Sequence, residues 1–335
     1  MERTRRDLLR ACGAAALAGG VAGCLDTFSF GDADGYAAFF PLHDWAEAVS
    51  GEVRTFENAV GAGRMGHGFR PDGDLTPRIA ATDIFVYLDT PEFSWAQDIA
   101  ESLRQDHEGD VVLVDALAGL ESQLLPFDDE GDGHDGHDHG EETGQDHGEF
   151  FDPHVWTDPV LAGEMVGTIR AGLSELDPAN EATYRENAVA YQERLDAVNE
   201  TLTETISTAP LDVAIFAGHD SFGYLEARYD FDLRTPTGVT PDADVSFSDI
   251  EDLVEVADTH GIDTVLYDPF EAPQPGNSVP PMVTTLQDAA ETVENAEPLS
   301  PLEGRTEEWV ANDWGWVEQM TEVNAPALER ALSPA

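Results

Sequence analysis

Lysine is absent from this chain. All sixteen basic residues are arginine, set against 68 acidic ones, for a formal net charge of -52 over 335 residues. A nucleic-acid surface needs a basic face to offset phosphate charge. So acidic a chain can spare none, and no nucleic acid is expected as a partner. Cysteine is nearly absent as well, with Cys12 and Cys24 the two in the chain. Long apolar runs are missing. Residues 11–23 are small and apolar, a stretch shorter than the ~20 residues that span a bilayer. What is present argues for a folded body. A content of 41% hydrophobic and 9% aromatic residues lifts the chain above the composition of disordered segments. At ~100–200 residues per domain, the length suggests two lobes. The charge suits a surface adapted to molar salt, where a Debye length of ~3 Å screens self-repulsion.

The first residues read as an address and an anchor. Arg3, Arg5, Arg6 and Arg10 precede the apolar run, the pattern of a signal peptide. Thr4-Arg5-Arg6-Asp7-Leu8-Leu9 resembles a twin-arginine export signal, and Val21-Ala22-Gly23-Cys24 resembles a lipobox. Residues 1–23 are therefore expected to be a twin-arginine/lipoprotein signal peptide, with Cys24 lipidated and residues 24–35 a linker. The body would sit on the extracellular face of the membrane, held by lipid. One acyl chain binds only marginally, so two or more are expected. With Cys12 removed, the mature chain has no disulfide option.

Strand and helix patterns alternate through the rest. Residues 83–88, 111–114, 213–217 and 264–267 are continuous apolar or β-rich runs, as in strands covered on both faces of an α/β protein. Helices are expected around 44–49, 248–260 and 314–332. Asp177-Pro178 gives an N-cap with a proline at the first helical position. Tyr184, Ala188, Tyr191, Leu195, Val198, Leu202 and Ile206 then follow at spacings of 4, 3, 4, 3, 4 and 4. A helix over 177–207 would be a rod of ~45 Å. The expected organisation is an N-terminal α/β lobe over 36–176, this connecting helix, and a C-terminal α/β lobe over 208–335.

Histidines are unevenly placed. Residues 128–149 hold ten acidic residues with His134, His137, His139 and His147. The tract is low in complexity and cannot pack a core; its imidazoles suggest loose capture of zinc or a similar ion. Three others sit in loops: His67 in Gly66-His67-Gly68, His154 in Asp152-Pro153-His154-Val155-Trp156, and His219 directly after the run at 213–217. Ligands in open α/β sheets bind outside the carboxyl ends of strands. Taken singly, each of the three could equally be a structural loop residue. Asp268, with Glu271 close behind, ends the run at 264–267; it is a candidate ligand or simply a turn cap.

Together these residues resemble the metal-type solute-binding proteins of ABC transporters, in the high-affinity zinc uptake branch. Asp152-Pro153-His154-Val155-Trp156-Thr157-Asp158-Pro159 is similar to that family's DPHxWxDP segment. Gly218-His219-Asp220-Ser221-Phe222-Gly223-Tyr224-Leu225 is similar to its GHxAFGYL segment. Phe69-Arg70-Pro71 departs from the usual aromatic-Glu-Pro step. The resemblance implies two α/β lobes joined by one long helix, with metal in the cleft between them. It implies His67 and His154 as ligands from the first lobe, His219 from the second, and a fourth position from the second lobe that is acidic or water, with Asp268 the first acidic candidate and Glu271 the next. It implies Zn²⁺ as the transported ligand, an ABC permease as partner, and a monomer with no enzymatic activity. Manganese or another divalent metal, a zinc metalloenzyme and a histidine-tract metal buffer are the alternatives. Three imidazoles suit zinc better than manganese, and no HExxH motif supports the enzyme.

Overall fold

The computed structural model describes residues 33–334, except 62, 67, 107–108, 127–150, 239–244, 273 and 275–277. Cys24, the signal segment, His67 and the tract histidines His134, His137, His139 and His147 lie outside the described residues.

The first lobe runs β1 (Gly35–Ala37), α1 (Phe40–Ser50), β2 (Phe56–Asn58), α2 (Leu75–Ala80), β3 (Ile84–Tyr87), α3 (Ser94–Asp106), β4 (Val112–Asp115) and α4 (Pro159–Leu176). A long helix α5 (Glu181–Ser207) follows. The second lobe runs β5 (Val213–Ala217), α6 (Gly223–Tyr229), β6 (Asp232–Arg234), α7 (Phe247–His260), β7 (Thr264–Tyr267), α8 (Pro281–Ala289) and β8 (Asn295–Pro298). The chain closes with α9 (Glu307–Ala311), α10 (Trp316–Glu318), a π-helical segment and α11 (Ala325–Leu332). The two sheets are parallel, with orders β2-β1-β3-β4 and β6-β5-β7-β8. The same permutation is used twice. In each lobe the first strand is flanked by the second on one side and the third on the other. Connections diverge between those strands, which opens a crevice at their carboxyl ends.

The four continuous apolar runs become β3, β4, β5 and β7, of which β4 lies at a sheet edge and the other three are central. All four residues of β3 and all five of β5 are buried. Phe85 stands in register with Tyr36 on one side and Leu113 on the other. The edge strands β6 and β8, Asp-Leu-Arg and Asn-Ala-Glu-Pro, carry no such run. Short charged edges of this kind resist pairing with another chain.

The spine differs at its start from the sequence pattern. Pro178–Asn180 form a 3-10 turn, and the α-helix begins at Glu181. The Asp177 carboxylate accepts from Asn180 Nδ2 at 2.8 Å and Tyr184 Oη at 3.2 Å, which holds that turn. All seven apolar positions read from the sequence are buried. Over 27 residues the helix is about 40 Å long. It packs against α1 and α4 of the first lobe and against α6 and α11 beyond the second sheet. Its polar contacts are buried where they matter. Tyr191 Oη donates to Asp44 Oδ2 at 2.7 Å, and the Trp316 N–H donates to the same oxygen at 3.1 Å. One carboxylate of α1 thus holds both the spine and the C-terminal segment. Burial pushes that carboxyl above its usual range.

The C-terminal helix expected over 314–332 is interrupted. Gln319–Asn324 is π-helical. Pro326 has no N–H to donate to the preceding turn, and a wider turn accommodates that break.

One half-buried acid sets a pH dependence. Burial, with some repulsion from Asp220 and Asp232, pushes Glu226 from 4.5 up to about 7, against the hydrogen bond it accepts from Leu233 N–H. A carboxyl raised in the fold stabilises it below its unfolded pKa, and that contribution is lost as pH rises through about 7. Glu226→Gln is expected to be more stable than wild type at pH 8, by up to about 3 kcal/mol. The gap should close by pH 5. Guanidinium unfolding at both pH values reads this, and a constant gap would contradict it.

Candidate metal centre

His154 is placed by its own neighbours. Asp152 Oδ1 accepts from the His154 backbone N–H at 2.9 Å and lies 2.7 Å from His154 Nδ1. A carboxylate on Nδ1 makes that nitrogen the donor and Nε2 the lone-pair nitrogen that can ligate. Downstream, Asp158 caps α4 by accepting from Val160 N–H at 2.7 Å and Leu161 N–H at 3.3 Å. Trp156 anchors the segment. Its ring packs at 4.9 Å on Phe39 and 5.8 Å on Phe93. Its Nε1–H donates to Pro301 O at 2.9 Å, and its carbonyl accepts from Trp316 Nε1–H at 3.0 Å.

His219 follows β5 by one residue. Gly218 must be glycine there, since a Cβ would come within 2.6 Å of the Phe216 ring. His219 pairs in a parallel bridge with Thr237. Its Nδ1 lies 3.5 Å from Glu271 Oε1, and its Nε2 lies 3.4 Å from His154 Nε2. Both imidazoles are buried, at 0% and 1% exposure.

A third group meets them that the sequence reading did not single out. Glu303 is fully buried, and its Oε1 lies 3.8 Å from His154 Nε2. Its Oε2 accepts from the Gly66 N–H at 3.0 Å. The loop that carries it is held on both sides. Gln319 Nε2 donates to Gly304 O at 3.1 Å and Ser300 Oγ donates to Gln319 Oε1 at 2.6 Å. Asn324 bonds Ser300 through both its N–H and its carbonyl, at 2.8 and 2.9 Å. Gln319 and Asn324 bound the π-helical segment, so that irregular turn aims two amides at the Glu303 loop. Glu303 follows β8, and a rule that looks beyond strand ends would have reached it. Asn-Ala-Glu-Pro gives no apolar signal for such a strand.

Ligand atoms of His154, His219 and Glu303 all lie within 4.8 Å of one another. Around a tetrahedral zinc with ~2.0–2.1 Å bonds, ligand atoms are ~3.3–3.4 Å apart. The Nε2–Nε2 distance of 3.4 Å already matches that edge. Asp268 and Glu271 form a second group that shares His219. Asp268 is buried and accepts from Phe270 N–H at 2.7 Å. The Glu271 side chain is 33% exposed and faces the Nδ1 side of His219. His67 lies outside the described residues, but Gly66 before it is clamped. Its N–H reaches Glu303, its carbonyl accepts from Trp95 Nε1–H at 3.3 Å, and a Cβ would come within 2.7 Å of Phe93.

Two parallel-sheet lobes on one helical spine are the architecture of helix-linked solute-binding proteins. The Zn(II)-bound ZnuA-like domain of Streptococcus pneumoniae AdcA has it: TM-score 0.70, 25% identity, 91% of this chain and 100% of that one. The periplasmic zinc-binding protein TroA of Treponema pallidum shares the fold at TM-score 0.70 and 19% identity, over 89% of this chain and 99% of that one. Residues 36–330 match the model of the family described as ZnuA, zinc-uptake complex component A, periplasmic, and the chain belongs to that family. The zinc-binding lipoprotein AdcA of S. pneumoniae is 30% identical over 292 residues, which are 87% of this chain and 54% of that protein. The chain thus spans about half the length of the first curated relatives it matches. The high-affinity zinc uptake system protein ZnuA of Bacillus subtilis is 25% identical over 319 residues, 93% of each chain.

Proposed function

We propose that this protein captures Zn²⁺ outside the cell, tethered by lipid at Cys24, and hands it to an ABC permease. One observation carries the reading. Two imidazole nitrogens and a carboxylate, all buried and drawn from both lobes, sit within 4.8 Å. Three neutral-nitrogen ligands with one carboxylate favour zinc over manganese, which prefers oxygen-rich sites. We assign His154, His219 and Glu303 as ligands and His67 as the fourth. Asp152 and Glu271 hold the outer ring nitrogens, and Asp268 shapes the turn that carries Glu271. The site is read as one for binding rather than catalysis, and the protein as a monomer.

The test is a competition titration against a chromophoric chelator, on protein purified in high salt. Alanine at His154, His219 or His67 should each cost orders of magnitude in zinc affinity. Tight stoichiometric binding by the triple variant would refute the assignment. Deleting residues 128–149 should remove weaker ions, contributed by His134, His137, His139 and His147, and leave one tight site. Loss of the tight site on deletion would favour the buffer instead.

A further inference from the structure

The acidic, histidine-rich tract leaves the described chain after Pro126 and the chain resumes at Phe151, and those two residues pair as an antiparallel bridge. Asp152 N–H donates to Leu125 O at 3.0 Å, closing the base of the tract. That base is gripped by the other lobe. Tyr224 of α6 donates its hydroxyl to Asp152 O at 2.8 Å and accepts from Leu125 N–H at 3.1 Å. Four residues on, and so on the same face of α6, Arg228 Nε lies 2.5 Å from Asp158 Oδ2. One short helix of the second lobe therefore holds both ends of the 152–158 segment, and His154 lies between them. The same helix starts four residues after His219. Its partner in the first lobe, Asp152, is also the carboxylate on His154 Nδ1. Tyr224 is 3% exposed, and burial raises its phenol above the usual value, so it stays a protonated donor.

We propose that Tyr224 is a positioning residue for the metal site: its hydroxyl, acting through Asp152, registers the His154 imidazole of one lobe against the His219 imidazole of the other. The base of the acidic tract is thereby part of the same hydrogen-bonded unit as the ligand. This rests on the reading of His154 as a zinc ligand. Removing the hydroxyl leaves the Asp152 carbonyl and the Leu125 N–H to find other partners, and Asp152 moves with them. Displacing the carboxylate that holds a ligand imidazole typically costs ten- to a hundredfold in metal affinity.

The test uses the full chain with Tyr224→Phe, titrated with zinc and, separately, loaded with Co²⁺ for its absorption bands. The proposal expects a zinc affinity about tenfold lower or worse and a shifted or weakened Co²⁺ spectrum. It also expects non-additivity: in an Asp152→Asn background, Tyr224→Phe should cost little more. Gly223→Ala probes the same point without touching the hydroxyl, because its Cβ would come within 2.9 Å of Asp152 Oδ2. It should lower affinity in the same direction, and it keeps the test open if Tyr224→Phe fails to fold. Wild-type affinity and unchanged Co²⁺ bands in Tyr224→Phe would overturn the proposal, even with a lowered melting temperature. So would strictly additive losses with Asp152→Asn. If His154→Ala itself bound zinc like wild type, the ligand assignment would fail first, a result distinct from an impaired His154→Ala beside an unaffected Tyr224→Phe.

Discussion

Glu303→Gln should weaken zinc binding by at least about a hundredfold, and Asp268→Asn and Glu271→Gln by clearly less. The glutamine keeps the volume and an oxygen that can still accept from the Gly66 N–H, now at 3.0 Å from Oε2. What it removes is the negative charge, and a neutral amide is a poor zinc ligand beside a carboxylate. Asp268 and Glu271 stand differently. Glu271 reaches the Nδ1 side of His219 at 3.5 Å, away from the Nε2 that meets His154. Its loss should cost what removing a carboxylate behind a ligand imidazole costs, ~10–100-fold at most. Chelator competition on the three variants decides between the groups. A larger loss from Asp268→Asn than from Glu303→Gln would move the site to the second group.

The choice between those carboxylates marks where the sequence stopped being readable. His154 and His219 were legible because each lies in a dense local motif, one ahead of a helix capped by Asp158 and one directly after a strand of five apolar residues. Asp268 was legible for the same reason, as the first residue past β7. Glu303 had no such marker. Its strand is an edge strand without an apolar run, and its loop is fixed by Gln319 and Asn324, whose contacts are tertiary. Strands β3, β4, β5 and β7 and the spine were legible from continuous apolar runs and from the 3–4 spacing. The π-helical break was not, because it answers to Pro326 and to the demands of the Ser300 loop together. Tyr224 lay inside a quoted motif, yet its role comes from Asp152 and Leu125, which are 72 and 99 residues away.

Salt should govern stability more than any single side chain does. With 68 acidic residues against sixteen arginines and no lysine, most carboxylates have no basic partner to meet. The spine shows the pattern in small. Glu186, Glu193 and Glu200 are exposed at sevenfold spacing along α5, with Glu204 a turn beyond. The ion pair at its start, Arg185 with Glu181, joins side chains 61% and 55% exposed, and such pairs contribute little. In molar salt the Debye length is ~3 Å, shorter than the gaps between these charges; at 0.1 M it is ~10 Å and they repel. The unfolded chain relieves that repulsion by expanding, so the folded state carries the larger cost at low salt. The melting temperature should fall by about 10 °C or more between 3 M and 0.1 M KCl, the equivalent of roughly 6 kcal/mol for a body of this size. High salt also strengthens apolar burial, so a charge variant is needed to separate the two causes. Glu186→Gln, Glu193→Gln and Glu200→Gln combined should raise the melting temperature at 0.1 M and leave it nearly unchanged at 3 M. Equal shifts at both salts would assign the effect to helix propensity or burial instead. A melting temperature that did not move with salt at all would remove the electrostatic account of this composition.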